Sequence, residues 1–328
     1  MKVVITGGMG FIGARLGRAL CDRGHLTNPS GQEVPIDELL LFDSVDVPNL
    51  FKERESNIQV KRVVGDISNQ ATVRSLIDRD DISVFHLASV VSGAGEKDFD
   101  LAMRVNLDGG RHLLESLRMR DVQARLVFAS SLAVFGGTRM PHVVGDNVKQ
   151  TSQTTYGITK SMCELMINDY TRRGFIDGRS ARLPTVIIRP GKPNQAASSF
   201  VSGVFREPLN GENFELPVSV GTVMPLLGYR AIVDNIIRLH ELEKDQLKDD
   251  RAVSLPSHTV SVQDMIDALN AAAGHRSLGR ITVKPDPFIE RICEGWPQDC
   301  EYSLATSLGF TKEENLEEVV SYYIEDYL

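Results

Sequence analysis

A chain of 328 residues in which 42% of the side chains are hydrophobic can bury a large core, as one big domain or as one domain with a smaller lobe. Its 44 acidic residues outnumber the 36 basic ones, giving a net charge of −8, and no Lys/Arg block or stripe stands out. That balance argues against a nucleic-acid surface or an anionic membrane surface and leaves small molecules and other proteins as partners. Cys21, Cys163, Cys293 and Cys300 have neither CxxC spacing nor nearby histidines, so they read as reduced thiols without a metal site. The N-terminus runs into an apolar strand without a signal-peptide pattern, and no apolar run reaches ~18 residues. The cytoplasm is the expected location.

Lys2–Ile5 is a short apolar run ending in Thr6 and glycines, and Phe11 to Arg23 follows with Ile12, Leu16, Ala19 and Leu20 at helical spacing. The reading is strand, turn, helix. Leu39–Phe42, Val60–Val64, Val84–Leu87 and Leu126–Phe128 are expected as further buried strands, with helical patterns over Ala71–Arg79 and around Leu101–Arg118 between them. Thr185–Ile188 is expected as one more, after a helix that carries Tyr156 and Lys160. Continuous apolar strands indicate a parallel sheet covered on both faces. Residues 190–230 are rich in Pro, Gly, Ser and Asn, as expected of loops closing over a site. A helix near Ile232–Leu242, another capped by Ser261 and running to about Ala273, and a last helix opened by a capping box at Thr311-Lys312-Glu313-Glu314 complete the chain.

Gly7, Gly10 and Gly13 stand between the first strand and the first helix, with Phe11 and Ile12 inside the turn. A tight turn there lets a pyrophosphate approach the N–H groups at the helix N-terminus, so dinucleotide binding is predicted. An acidic residue at the end of the second strand should take the adenosine ribose hydroxyls. Asp43 fits, and its carboxylate repels a 2′-phosphate, which favours NAD over NADP. It lies further from Gly13 than the usual gap of ~20 residues because His25–Glu38 forms an inserted polar loop, and Asp46 is the alternative. Asp66, in Gly65-Asp66-Ile67 after the third strand, can meet the adenine amino group or serve as a plain turn residue. The predicted architecture is α/β: a Rossmann-type doubly wound parallel sheet over residues 1–189, and a smaller substrate-binding lobe over 190–328 with some elements returning to the sheet.

Tyr156 and Lys160 are one helical turn apart, downstream of Ser131. An ammonium beside a phenol favours the phenolate, so a group with a reference pKa of about 10 becomes a base near neutrality. A solvated helix face would show the same spacing.

Thr6–Gly13, Gly65-Asp66-Ile67, His86-Leu87-Ala88-Ser89, Val105-Asn106, Ala129–Gly136, the Tyr156/Lys160 pair and Arg189-Pro190 follow one another along the chain. In this order they resemble the extended short-chain dehydrogenase/reductases, the nucleotide-sugar epimerase/dehydratase superfamily, over nearly the whole length. The resemblance implies that Ser131 hydrogen-bonds the reacting oxygen, Tyr156 exchanges its proton, and Lys160 holds the nicotinamide ribose while lowering the tyrosine pKa. It also implies that Ile67, Ala88 and Asn106 lie near the cofactor, and that two copies pair through the helices around Leu101–Arg118 and Thr155–Arg173. The apolar set Ile158, Met162, Leu165 and Met166 suits such a dimer or plain packing on the sheet.

The superfamily leaves the substrate open. Arg189 to Phe200 offers a cation, an amide and hydroxyls in a compact stretch, which suits a small polyhydroxy acid. Lys192 or a neighbouring Arg would hold the carboxylate, Ser198 a hydroxyl, and Arg206 would add a second cation; Lys192 could equally be a surface loop cation. This stretch, Arg206–Gly211 and the insertion before Asp43 resemble the D-erythronate dehydrogenase branch, which implies NAD-dependent oxidation of a four-carbon sugar acid at carbon 2. The rival readings are a nucleotide-sugar epimerase or dehydratase that retains its NAD, and a cofactor-sensing protein without chemistry.

Overall fold

The computed structural model describes residues 1–47, 57–120, 122–193 and 196–328. Seven parallel strands form the main sheet, in the spatial order Ala252–Ser254, Asp177–Leu183, Arg125–Ser131, Ile82–His86, Lys2–Thr6, Glu38–Asp43, Gln59–Val64. Chain order reverses across Lys2–Thr6: Thr6 is in register with Phe42 on one side and His86 on the other. At such a switch point the loops leaving adjacent strands diverge and open a crevice at their carboxyl ends.

Side chains alternate across this sheet, so one strand serves two cores. Val3 and Ile5 pack with Leu16 and Leu20 of the helix Phe11–Arg23 and with Ile232, Ile236 and Leu239 of the helix Tyr229–Glu241. Val4 points the other way, into a core with Leu113 and Leu117 of the helix Gly109–Arg118 and Ile167 of the helix Thr155–Arg172. Helices therefore cover both faces, as the continuous apolar strands require. The inserted segment is a short hairpin, His25–Thr27 with Glu33–Pro35, pinned where Thr27 donates its N–H and hydroxyl to Glu241.

Several expected elements fall elsewhere. Gln59–Val64 is an edge strand and not a buried run: Val64 is 56% exposed, and Lys61 pairs with Glu38 at 2.8 Å. The sixth strand is Asp177–Leu183, whereas Thr185–Ile187 belongs to a second, three-stranded sheet, parallel to Val223–Gly228, which is antiparallel to His258–Ser261. Asp177-Gly-Arg-Ser-Ala-Arg-Leu183 shows no apolar run because its charges are paired in the interior. The Asp177 carboxylate receives Arg179 at 2.6 Å and Arg251 at 2.5 Å and lies 3.5 Å from Arg125. Arg179 also donates to the carbonyls of Leu239, His240 and Leu242, which ends the helix Tyr229–Glu241 with its exposed acceptors satisfied.

The helical pattern before Arg118 is interrupted: Phe99–Ala102 passes through a π-helical stretch, Met103–Asp108, before Gly109–Arg118. The second sheet shares a core with Val204 and Phe205 of the helix Ser199–Leu209, Met265 and Leu269 of Val262–Ala272, and Val319 and Tyr323 of Leu316–Tyr327. Ser261 caps Val262–Ala272 as expected. The last helix is capped by Asn315, which accepts the Glu318 N–H, and not by Thr311. Thr311 is instead held on both sides of its backbone by Asn235, and Glu313 turns inward to accept the Gly228 N–H.

Removing one member of a buried ion cluster leaves the others uncompensated. Asp177→Ala, which strands three arginines, is expected to lose about 3–5 kcal/mol of unfolding free energy or to prevent folding; urea denaturation followed by circular dichroism reads it, and a wild-type midpoint would contradict it.

Candidate active site

A cavity of about 1050 Å³ opens at the carboxyl ends of the central strands. One end is built by the glycine turn. A Cβ on Gly13 would lie 2.1 Å from the Gly7 carbonyl oxygen, and one on Gly7, at φ +70°, would lie 2.8 Å from the Ala88 nitrogen. Only glycine permits this closure. No side chain caps the helix Phe11–Arg23 at Gly10, so its first N–H groups remain available beside the cavity.

Gly7, Gly10, Phe11, Ile12, Gly13, Asp43, Asp66, Ile67 and Ala88 all line the cavity. Asp43 is held in place by the N–H groups of Met9 at 3.2 Å and Ser44 at 2.8 Å. Asp46 is not among the lining residues and pairs with Arg62. Asp66 lines the cavity while one oxygen accepts the N–H and hydroxyl of Ser68, each at 2.8 Å. Of the residues expected at the cofactor, Lys160 and Asn106 do not line the cavity, and Asn106 makes other contacts. It is buried outside the wall, its carbonyl oxygen accepting from Val90 N–H at 2.7 Å and from Ser89, and its amide donating to the Val90 carbonyl and Thr159. It ties the Ser89–Val90 loop to the helix that carries Tyr156.

Thr154 caps that helix by accepting the Gly157 N–H at 3.2 Å, and Gly157 lies so close to Ala133 that a Cβ would sit 2.0 Å from its carbonyl oxygen. The helix therefore begins against the turn that follows Ser131. Ser131 and Tyr156 both line the cavity, and the Ser131 oxygen accepts the Ala133 N–H at 3.1 Å. Lys160 is 3% exposed; its ammonium donates to the Ala129 carbonyl at 2.7 Å and lies 5.5 Å from the centre of the Tyr156 ring.

The electrostatics correct the simple picture of an acidified phenol. Burial pushes the Tyr156 pKa up, while a hydrogen bond with Ser131 works the other way. Burial also pushes the Lys160 ammonium down to about 8. The pair is on one helix face as its spacing demands, but burial outweighs the Ser131 hydrogen bond at Tyr156 and the Cys163 and Glu164 charges at Lys160.

At the other end, Ser198 and Arg189 line the cavity, whereas Lys192 does not. Lys192 is an exposed loop cation whose backbone carbonyl accepts from the Arg189 guanidinium at 2.6 Å. Arg206 is 4% exposed and also outside the wall, donating to the Arg189 carbonyl at 2.9 Å and to Glu207 at 2.5 Å. Both cations expected on substrate thus support Arg189, the half-buried one in the wall. Burial and the nearby Arg206 charge press its pKa below the usual arginine range. Asn194 and Gln195 lie outside the described residues. Trp296, Arg104 and Thr154 also line the cavity. None carries a sequence signal: Trp296 stands far along the chain from the glycine turn and from Tyr156. Among the described residues no group of three or more His, Cys, Asp or Glu is placed to hold a metal ion, and no helix is long and apolar enough to cross a membrane.

The model of the 3-beta hydroxysteroid dehydrogenase/isomerase family matches residues 4–202, from the first strand through the glycine turn, Ser131, Tyr156, Lys160 and Arg189. The chain belongs to this family. It is 45% identical to D-erythronate dehydrogenase of Cupriavidus necator, with 99% of this chain and 98% of that protein covered. It is 38% identical to D-erythronate dehydrogenase of Haemophilus influenzae, with 99% of each covered. Among solved structures, the nucleoside-diphosphate-sugar epimerase from Agrobacterium tumefaciens superposes with a TM-score of 0.89 at 36% identity, covering 100% of this chain and 94% of that one.

Protein stripped of nucleotide should carry one lysine, Lys160, that loses its charge as pH rises through about 8. Lysine-selective NMR of the wild type against Lys160→Met assigns that titration. A value near the unperturbed 10.4 would contradict the burial argument.

Proposed function

We propose that this protein is an NAD-dependent dehydrogenase that oxidises the carbon-2 hydroxyl of a small sugar acid, D-erythronate, to the 2-oxo acid. The observation that carries the reading is one cavity whose wall holds a glycine turn at one end, Ser131 and Tyr156, and the Arg189 guanidinium at the other. The substrate class is supported by full-length similarity to two D-erythronate dehydrogenases.

The residues present fit a dinucleotide. The turn has no room for a Cβ at Gly7 or Gly13, leaves helix N–H groups free for a pyrophosphate, and sets Asp43 where a carboxylate would accept ribose hydroxyls and repel a 2′-phosphate. NAD is therefore the preferred form. When bound, it supplies the hydride acceptor. Ser131 hydrogen-bonds the reacting oxygen, and Tyr156, as phenolate, takes the hydroxyl proton. Because burial opposes the phenolate, the Lys160 ammonium and the Ser131 hydroxyl are the groups that favour it. Lys160, oriented by Ala129, also offers protons to a ribose hydroxyl. Arg189 holds the carboxylate through a forked, charge-assisted contact, and because carbon 2 is bonded to that carboxylate, the contact positions the reacting carbon.

A nucleotide-sugar epimerase would share the dyad, and the Agrobacterium structure bears that name. A small acid is favoured because Arg189, a cation in the wall at the end away from the glycine turn, answers a carboxylate. A non-catalytic sensor would have no use for Ser131, Tyr156 and buried Lys160 together. We further infer a cytoplasmic homodimer. Cys21, Cys163, Cys293 and Cys300 form no disulfide, which suits a reducing compartment. On the helix Thr155–Arg172, Ile158, Met162 and Leu165 are 42%, 40% and 67% exposed, an apolar face suited to a second copy. Met166 is not part of it, since it packs on the sheet core.

Aldonates of four to six carbons are assayed with NAD⁺ and NADP⁺ by absorbance at 340 nm. D-erythronate with NAD⁺ should give the fastest stoichiometric reduction and UDP-glucose none; the reverse would overturn the reading. Tyr156→Phe should bind NADH normally yet turn over on the order of a hundredfold more slowly. Arg189→Met should raise KM for D-erythronate by about tenfold or more, as expected for losing a charge-assisted hydrogen bond, with NADH affinity retained. An unchanged KM would remove Arg189 from its role.

A further inference from the structure

Beside the cavity, but outside its wall, lies a buried ionic cluster that the reaction as described does not use. Glu164 is 2% exposed and stands one helical turn after Lys160, on the same face of the same helix. Its carboxylate accepts the Ser130 hydroxyl, the Gln150 amide at 2.5 Å, and two nitrogens of the Arg182 guanidinium at 2.9 to 3.2 Å. Ser130 and Arg182 are register partners on adjacent strands, and Arg182 is in turn in register with Ser254 on the next strand. Asp146 closes the cluster, lying 3.5 Å from Arg182 and accepting the Ser254 N–H at 3.1 Å.

We propose that Glu164 is a positioning residue for the reaction: it fastens the strand end bearing Ser131 to the helix bearing Tyr156 and Lys160, and its charge faces Lys160 from within the fold. The inference rests on the roles assigned to those three residues under the proposed function. A buried ion pair is seldom a net gain in stability over apolar packing, so folding alone does not account for a carboxylate here. Its location does: Ser130 is bonded to Ser131, and Lys160 is the next residue up the same helix face. Reacting groups displaced by about 1 Å can lose on the order of a hundredfold in rate, and this clamp joins the two elements whose relative position sets that distance.

The groups facing Lys160 are Glu164, Cys163 and Tyr156 of its own helix and His86 from the sheet, whose imidazole burial keeps neutral by pushing its pKa down to about 3. Glu164 itself faces Arg182, with Asp146 and Asp250 beyond. Glu164 is thus a negative charge that opposes the loss of the Lys160 proton. Neutralising it lowers the Lys160 pKa, and the unpaired Arg182 cation left behind acts in the same direction.

The test uses the full chain with D-erythronate and NAD⁺. Glu164→Gln should lower kcat by about tenfold or more, leave both KM values within about twofold, and move the alkaline limb of kcat about half a pH unit or more toward lower pH. Wild-type kcat and pH profile would overturn the proposal, as would a lower kcat with an unmoved limb, which is what lost packing alone would give. If Glu164→Gln is insoluble, Ser130→Ala, which leaves no charge unpaired, decides instead: a lower kcat at unchanged KM supports the clamp, and wild-type kcat overturns it. Tyr156→Phe, run alongside, separates the two levels. If it stays active, the site assignment has failed; if it is inactive while Glu164→Gln behaves as wild type, only the clamp has failed.

Discussion

The hydrogen bond of 2.7 Å from the Lys160 ammonium to the Ala129 carbonyl joins the two elements on which the site depends. Ala129 is two residues before Ser131 on a central strand, and Lys160 is one turn after Tyr156 on the covering helix. A cation buried this deeply must have its donors occupied, and the strand carbonyl occupies one. The contact therefore fixes the height of the helix along the strand. Gly157 against Ala133 fixes how closely the two approach, and Asn106 secures the opposite flank through Thr159. Ser131 and Tyr156 meet at the cavity wall because the Lys160, Gly157 and Thr159 contacts together seat the helix against the strand.

The interior around this site is unusually ionic for a parallel sheet. Asp177 with its three arginines and Glu164 with Arg182 place paired charge in the interior. Arg179 and Arg125 spend their donors on the C-terminal carbonyls of the helix Tyr229–Glu241, which serves as structure in place of a cap. Arg189 follows the same logic at the other end of the cavity: Arg206 donates to its backbone carbonyl, and the Lys192 carbonyl accepts from its guanidinium.

What was legible in the sequence is what depends on local backbone geometry. Gly7, Gly10 and Gly13 announce a turn that excludes Cβ atoms, Phe11–Arg23 shows its helical period, and Tyr156 with Lys160 obeys the spacing of one turn. What was not legible depends on partners distant along the chain. Asp177–Leu183 shows no strand signal until Arg251 and the end of the helix Tyr229–Glu241 are beside it. Thr311 resembles a cap until Asn235 claims its backbone, and only the fold shows Arg189 in the cavity wall with Lys192 outside it. The direction of the Tyr156 shift was also hidden, because burial is a property of the folded chain and not of the spacing.

The central claim is net hydride removal from carbon 2 of a small acid, as opposed to a hydride borrowed and returned. D-erythronate deuterated at carbon 2, incubated with NAD⁺ and analysed by mass spectrometry, tests it most directly. The account predicts one deuterium in each molecule of released reduced cofactor and an unlabelled 2-oxo acid. Deuterium retained in the sugar acid, with no labelled cofactor set free, would contradict it.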